Sequence, residues 1–592
     1  MDPPSESPPG AGEEPQAGGG QSDGGPQGRY FDLTILAQDP SVMEPGPDGE
    51  PRILRACVRI PAHMVKPGPR GPRFHVVDYD PITKNLQKPF ELGKDGAVLD
   101  LFEHTPDQEL VADHRFHAQN VYVITARTLN AFESALGRRV PWAFGSHQLY
   151  VVPHAFQEAN AFYADSDQAL LFGDFPLPDR PVFTCLSHDI VAHETTHAIL
   201  DGLRSRFDAP GLPDQPAFHE AFADIVALLS VFSMQEVVSR LIRKQPGGTL
   251  QESDVTPDRL RELALVKMAE ELGDAVLATR GEGLRNSAKL EPTEEWKDPT
   301  KLEWEEPHRR GEILVAAVMR TLIELWIERL QGLIQAGQLD RERAAEEGST
   351  SATHLLSMMI RAIDYCPPVD FEFADFLDAI LLSDEEVAPD DEHGYRPALR
   401  KAFEAYGIRP RNWPAPPSLV PVDAYTYRDF NYMALRSEPE EAFRFLWENA
   451  GLLGIDRSYY FKVEDVLPAV RIGPDGFVVS ESVVDYVQQL EATLADLRVL
   501  APEEFAPLSA LTGDTPVKVW GGGSIIFDQF GRVKHHQFKR LGDWDRQARR
   551  LQYLVRRGIK DTEGRYGFTS GGPAGMRFAL LHQPDNRAGE AW

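Results

Sequence analysis

The sequence predicts an α+β fold, and three observations carry that reading. Short alternating apolar runs separated by turn formers fill the stretch from Tyr30 to about Asp113. Long helical patterns dominate from about Gln119 to Ile408. A mixed third stretch follows the proline-rich segment Pro410 to Pro421. At 592 residues the chain exceeds one ordinary core, so two or three domains are expected.

Residues 1–28 are Gly, Pro, Ser, Glu and Gln with almost no apolar side chains, so they are expected to be a disordered tail. Residues 29–202 read as a β-rich lobe. The runs Phe31 to Leu36, Leu54 to Ile60 and Phe74 to Tyr79 alternate as strands do, and the lobe closes on a helix at Ser187 to Gly202. Residues 203–409 read as a helical lobe, residues 410–424 as a linker, and residues 425–592 as an additional mixed α+β domain. In that domain Ser524 to Phe538 suggests a hairpin turning near Gly531. The basic run Arg546 to Lys560 sets Arg549, Arg550, Arg556 and Arg557 among Leu551, Leu554 and Val555, which reads as an amphipathic surface helix. No internal repeat is present.

Composition narrows the functional classes. A formal net charge of -30 argues against nucleic acid or an anionic membrane as the main partner, because both select basic surfaces. Three cysteines, Cys57, Cys185 and Cys366, do not make a disulfide framework. No basic segment leads into an apolar one at the N-terminus, and no apolar run approaches a membrane span, so a cytoplasmic location is the expectation.

The chemistry concentrates in the middle of the chain. His193-Glu194-Thr195-Thr196-His197 lies within a helical pattern that has Ser187 as candidate N-cap and apolar Ile190, Val191 and Ile199 around it. Residues four apart share a helix face, so His193 and His197 can converge on one Zn²⁺ while Glu194 lies beside it as a general base rather than on it. A catalytic zinc needs a third protein ligand. The next helical run, beginning near Phe218, supplies Glu220, with Asp224 one turn later to receive the free ring N–H of a ligand histidine. Ala221, Phe222, Ile225, Val226, Leu228 and Leu229 make that helix apolar nearly all round, and carboxylates buried there need such partners. His219 falls on a different face from Glu220 and reads as structural. The adjacent pair His535-His536 on a predicted strand points to opposite faces and reads as chance.

With these residues in hand, the sequence resembles the thermolysin family of zinc metallopeptidases. The resemblance runs in order through Asn160-Ala161-Phe162-Tyr163, Phe172-Gly173-Asp174, the His193–His197 helix, Glu220 to Asp224, Leu284-Arg285, Pro307-His308 and the stretch from Arg400 to Ile408. It implies a two-lobed fold, one zinc per chain and a peptide or unfolded-protein substrate. It also implies that Asn160 and Ala161 hold the substrate backbone and that His308 and Arg285 stabilise the oxyanion. Glu303 stands where a carboxylate could orient His308, and Leu284 and Ile190 look like apolar walls favouring a hydrophobic residue after the cut.

The departures are specific. Residues 198–219 make a longer spacer than the family's usual, Phe207-Asp208 occupies the region of the family's catalytic tyrosine, and the secretion signal and long pro-segment are absent. Asp189 matches a calcium ligand of the family, but the acidic partners after Glu220 are replaced by an apolar run, which counts against Ca²⁺. Three readings compete. The leading one is an endopeptidase. An aminopeptidase is disfavoured for want of a Gly-x-Met-Glu-Asn-type segment upstream of the helix. A zinc-bound peptide-binding scaffold would not need Glu194.

Overall fold

The alternating runs of the N-terminal part pair as strands. The computed structural model describes residues 30–45, 49–66, 68–80, 83–88, 100–178, 180–204, 206–207, 211–242, 287, 290–336, 340–411, 424–428, 430–436, 438–472, 476, 478–509 and 511–559. β1 (Tyr30–Leu36) and β2 (Arg55–Pro61) form an antiparallel pair, Tyr30 opposite Pro61. A five-stranded sheet follows, built from β3 (Phe74–Val76), β4 (Leu149–Phe156), β5 (Ala161–Ala164), β6 (Ala169–Pro176) and β7 (Pro181–Phe183). β4 is parallel to β3 and β6, whereas β5 and β7 pair antiparallel with β6. Among the described residues β5 has a strand neighbour only on its β6 side. Helix α1 (His114–Leu136) is started by the Asp113 side chain and ended by Gly137 in the left-handed region, and it crosses this layer.

The helical part carries the site. Helix α2 (His188–Leu203) packs on α3 (Asp214–Phe232), and α3 packs on α4 (Pro307–Gln335). Ser187 stands at the N-cap of α2, as its residue type suggests, but its side chain makes no capping bond. Gly202 stands near the end of α2, as expected, with the helix running one residue further. The glycine is there because a Cβ would stand 2.0 Å from the Pro141 carbonyl oxygen. Helices α5 (Arg341–Ala362), α6 (Phe373–Val387) and α7 (Tyr395–Ala405) complete this region.

The chain beyond residue 424 forms a four-stranded antiparallel sheet in the order β8 (Tyr460–Ile472), β9 (Val478–Thr493), β10 (Pro516–Phe527), β11 (Val533–Lys539). β10 and β11 are the predicted hairpin, and Gly531 sits in its turn with φ of +77°. Helix α8 (Trp544–Arg556) carries most of the basic run and is amphipathic as expected, with Arg549 and Arg556 exposed, but two of its arginines face inward. Arg546 and Arg550 are 2% and 1% exposed and both pair with Asp370. Arg546 Nη2 also donates to the Trp520 and Arg540 carbonyls, and Arg550 Nη1 to the Lys518 carbonyl. The arginines are buried because α8 is wedged between its own sheet and the chain just before α6, where Asp370 supplies the opposite charge.

Val483 and Ile526 of this sheet belong to the same apolar core as the helices. Arg204, which follows α2 directly, forms a buried ion pair with Asp485, and Ser524 Oγ donates to the Cys366 carbonyl at 2.7 Å. The third sheet therefore rests against the C-terminal end of the helix that carries His193 and His197. The structure is α+β. Among the described residues no helix is long and apolar enough to cross a membrane.

Candidate metal centre

Two helices bring three ligand-type side chains together. His193 and His197 sit one turn apart on α2, their rings 4.4 Å apart and nearly perpendicular. Glu220, on α3, turns Oε2 toward both. His193 Nε2 is 3.6 Å and His197 Nε2 is 3.7 Å from it, and all three ligand atoms lie within 4.8 Å of one another. Ligand atoms at about 2.0–2.2 Å from an ion in tetrahedral geometry lie about 3.3–3.6 Å apart, so the donor set fits zinc with little adjustment. The three side chains are buried, at 1%, 0% and 2% exposure, where two imidazoles and a carboxylate are costly to leave without a charge partner.

The partners behind the ligands fix their orientation. Asp224 Oδ1 receives His193 Nδ1–H at 2.8 Å, the contact its spacing from Glu220 predicts. His219, read from sequence as structural, is the partner of the second histidine. His197 Nδ1 and His219 Nδ1 are 2.8 Å apart with their rings stacked, so His197 donates when Nε2 faces an ion. Helical spacing puts His219 off the Glu220 face of α3, yet its ring still reaches His197 on α2. Its adjacency to Glu220 was the one sequence signal.

Glu194 is 1% exposed, and its Oε2 accepts the backbone N–H of Tyr163 at 3.2 Å. That amide belongs to β5, the strand paired on one side only. Asn160 and Ala161 lie at its start. The Asn160 side chain accepts the Ala161 N–H at 2.9 Å, and its carbonyl accepts the Gly173 N–H at 3.0 Å, which fixes the start of β5 against β6.

His308 joins from the first turn of α4, with Nε2 3.4 Å from Glu220 Oε2. The carboxylate that orients it is Glu306, not Glu303. Glu306 is the N-cap of α4, and its side chain accepts from the His308 and Arg309 backbone amides and from His308 Nδ1 at 2.9 Å. Glu303 lies on the preceding 3-10 turn and is exposed. The turn of chain between Glu303 and the helix start puts the cap residue, and not its neighbour a turn earlier, beside the ring.

Electrostatics follow the same geometry. Burial alone would raise the Glu220 carboxyl, but His197, His308 and His193 hold it well below the usual carboxylate range. Burial alone would lower His308, but Glu220 and Glu306 hold it well above the ordinary imidazole value.

Some expected site residues fall elsewhere. Ile190 is 1% exposed and packs in the main core, so it is a core side chain of α2 and not a pocket wall. Leu284 and Arg285 lie outside the described residues. Phe207 is buried against Phe218 and Phe371. Neither the models of known protein families nor the curated proteins compared with this chain yield a match.

Proposed function

We propose that this chain is a zinc-dependent peptidase of thermolysin-like mechanism, cleaving internal bonds of peptides or unfolded proteins. The observation that carries the reading is Glu194: a buried carboxylate next in sequence to His193 of the His193–His197–Glu220 set, held by a backbone amide of a strand that, among the described residues, has a strand neighbour on one side only. Zinc, when bound by that set, supplies Lewis-acid chemistry, acidifying a water and polarising a carbonyl. Glu194 accepts the proton of the attacking water and passes it to the leaving nitrogen. Asp224 and His219 keep the ligand imidazoles in one tautomer and one orientation. His308, fixed through Nδ1 by Glu306, presents Nε2 to the same face and donates to the developing oxyanion; losing such a donor typically costs about 10²–10³ in rate. An extended peptide lying along β5 would add a strand to the sheet beside Glu194.

A zinc-bound peptide-binding scaffold is the second reading, favoured by the core packing of Phe207 where the family's tyrosine is expected. Digestion of a peptide library by the purified chain, with and without a zinc chelator, separates the two. Internal cleavage that the chelator abolishes and added zinc restores is expected. Cleavage no greater than that of Glu194→Gln would leave the scaffold reading standing.

A further inference from the structure

A second group of ligand-type side chains lies away from this centre. His117 on α1, His154 on β4 and Cys185, in the 3-10 turn Thr184–Leu186 that leads into α2, bring one ligand atom each within 4.8 Å of one another. All three are buried, at 0%, 3% and 0% exposure. His117 Nδ1 faces His154 Nε2 at 2.8 Å. The outer nitrogens are held too: His154 Nδ1 lies 2.7 Å from Asp78 Oδ1, and His117 Nε2 lies 2.7 Å from the Val111 carbonyl oxygen.

Counting protons along this row exposes a mismatch. The row runs from a carboxylate through two imidazoles to a carbonyl, and both ends are acceptors. Three hydrogen bonds between acceptor ends need three protons, whereas two neutral imidazoles bring two. One extra proton shared by the pair, balanced by Asp78, would remove the mismatch, and so would a cation between the two rings, which the nearby Cys185 sulfur favours. Each imidazole then sends its single N–H outward, one to Asp78 and one to Val111. Each turns its lone pair inward toward the ion, the arrangement that metal-bound histidines adopt with a carboxylate or a backbone carbonyl behind them. The inner nitrogens need open by only about 0.5 Å to reach the spacing of two tetrahedral ligands.

We propose that His117, His154 and Cys185 form a second metal site, for zinc or a divalent ion of similar softness, distinct from the His193–His197–Glu220 centre. Two imidazoles and a thiolate are a donor set that selects such ions over calcium or magnesium. The thiol proton leaves to solvent as the ion binds. Asp78, His114 and His154 also approach one another, but the His114 ring lies across the face of His154, 4.3 Å away and tilted 30°. The site ties α1, β4 and the turn before α2 together, so its effect is on the seating of α2.

Cobalt(II) tests this, because only a site with sulfur gives a thiolate-to-cobalt charge-transfer band in the near ultraviolet. The full chain, stripped by chelator and dialysed against cobalt(II), is expected to bind about two equivalents and show that band. Cys185→Ser and His154→Gln should each lose the band and about one equivalent; His193→Ala should lose about one equivalent and keep the band. The Cys57→Ser chain, altered at an exposed cysteine, should keep both. Wild-type protein with no band overturns the proposal, as does a band that Cys57→Ser removes. If Cys185→Ser does not fold, His154→Gln decides: a band that persists in that variant overturns the site.

Discussion

Glu194 and His219 show how single residues acquire roles from what stands behind them. Glu194 follows His193 directly, and its carboxylate is held by the Tyr163 amide. Substituting Gln keeps the shape and removes the basicity. Glu194→Gln is expected to retain the metal content of the parent chain, measured by elemental analysis, while hydrolysis falls by about 10²–10⁴-fold. Loss of metal from that variant would mean that Glu194 is itself a ligand. His219 stacks on His197, with the two Nδ1 atoms 2.8 Å apart, and receives the His197 Nδ1–H when His197 Nε2 holds an ion. Partners of this kind contribute about 10–100-fold in metal affinity. His219→Ala should therefore weaken zinc binding by that factor in a competition titration with a chromophoric chelator, and Glu220→Ala should weaken it further. Unchanged affinity in His219→Ala would reduce the histidine pair to packing.

Among the elements, the start of α4 does two things with one carboxylate. Glu306 caps the helix through the His308 and Arg309 amides and fixes the His308 ring through Nδ1. Pro307 at the first helical position has no N–H to satisfy, which leaves the cap free for these two amides. Removing the cap side chain costs about 0.5–2 kcal/mol. Glu306→Ala is expected to lower the free energy of unfolding, measured by chemical denaturation, by that amount and to reduce kcat through a misaligned His308. Glu303→Ala, on an exposed turn, should change neither. Equal kcat in the two variants would remove the orienting role.

On the scale of the whole molecule, the third sheet is fastened to the helical region by buried charge as well as by core contacts. Arg204 and Asp485 are both buried, and removing one partner of such a pair typically costs about 3–5 kcal/mol because the other charge stays buried. Asp485→Ala should show a loss of that order in chemical denaturation; a loss below about 1 kcal/mol would mean that Arg204 finds another partner. Glu372 adds a pH dependence. Burial would raise its carboxyl, but Lys539, Arg411 and Arg549 hold it down, from 4.5 to about 2. Two of these cations come from the third region. A carboxyl depressed by folding contributes stability that is full above its unfolded pKa and is lost as pH falls through the folded one. Between pH 4.5 and 2 about 3 kcal/mol should therefore disappear. Urea midpoints measured from pH 6 to pH 2.5 should fall more steeply for the parent chain than for Glu372→Gln.

What the sequence determines here is what a single helix determines. The spacing His193 to His197 puts two imidazoles on one face, and Glu220 to Asp224 puts two carboxylates on another, because helical periodicity fixes neighbours without reference to the rest of the chain. The α+β class and the hairpin at Gly531 are legible for the same local reason. Relations between elements are not. His219 meets His197 because of how α3 lies against α2; Glu306 takes the place expected of Glu303 because it is the residue at the helix start; Ile190 turns into the core. Arg550 reads as part of a surface stripe until Asp370 is brought against it. His117, His154 and Cys185 come from a helix, a strand and a turn with no common spacing. Such contacts depend on the angle and register at which elements pack, and these are set by the whole core at once rather than by any one segment.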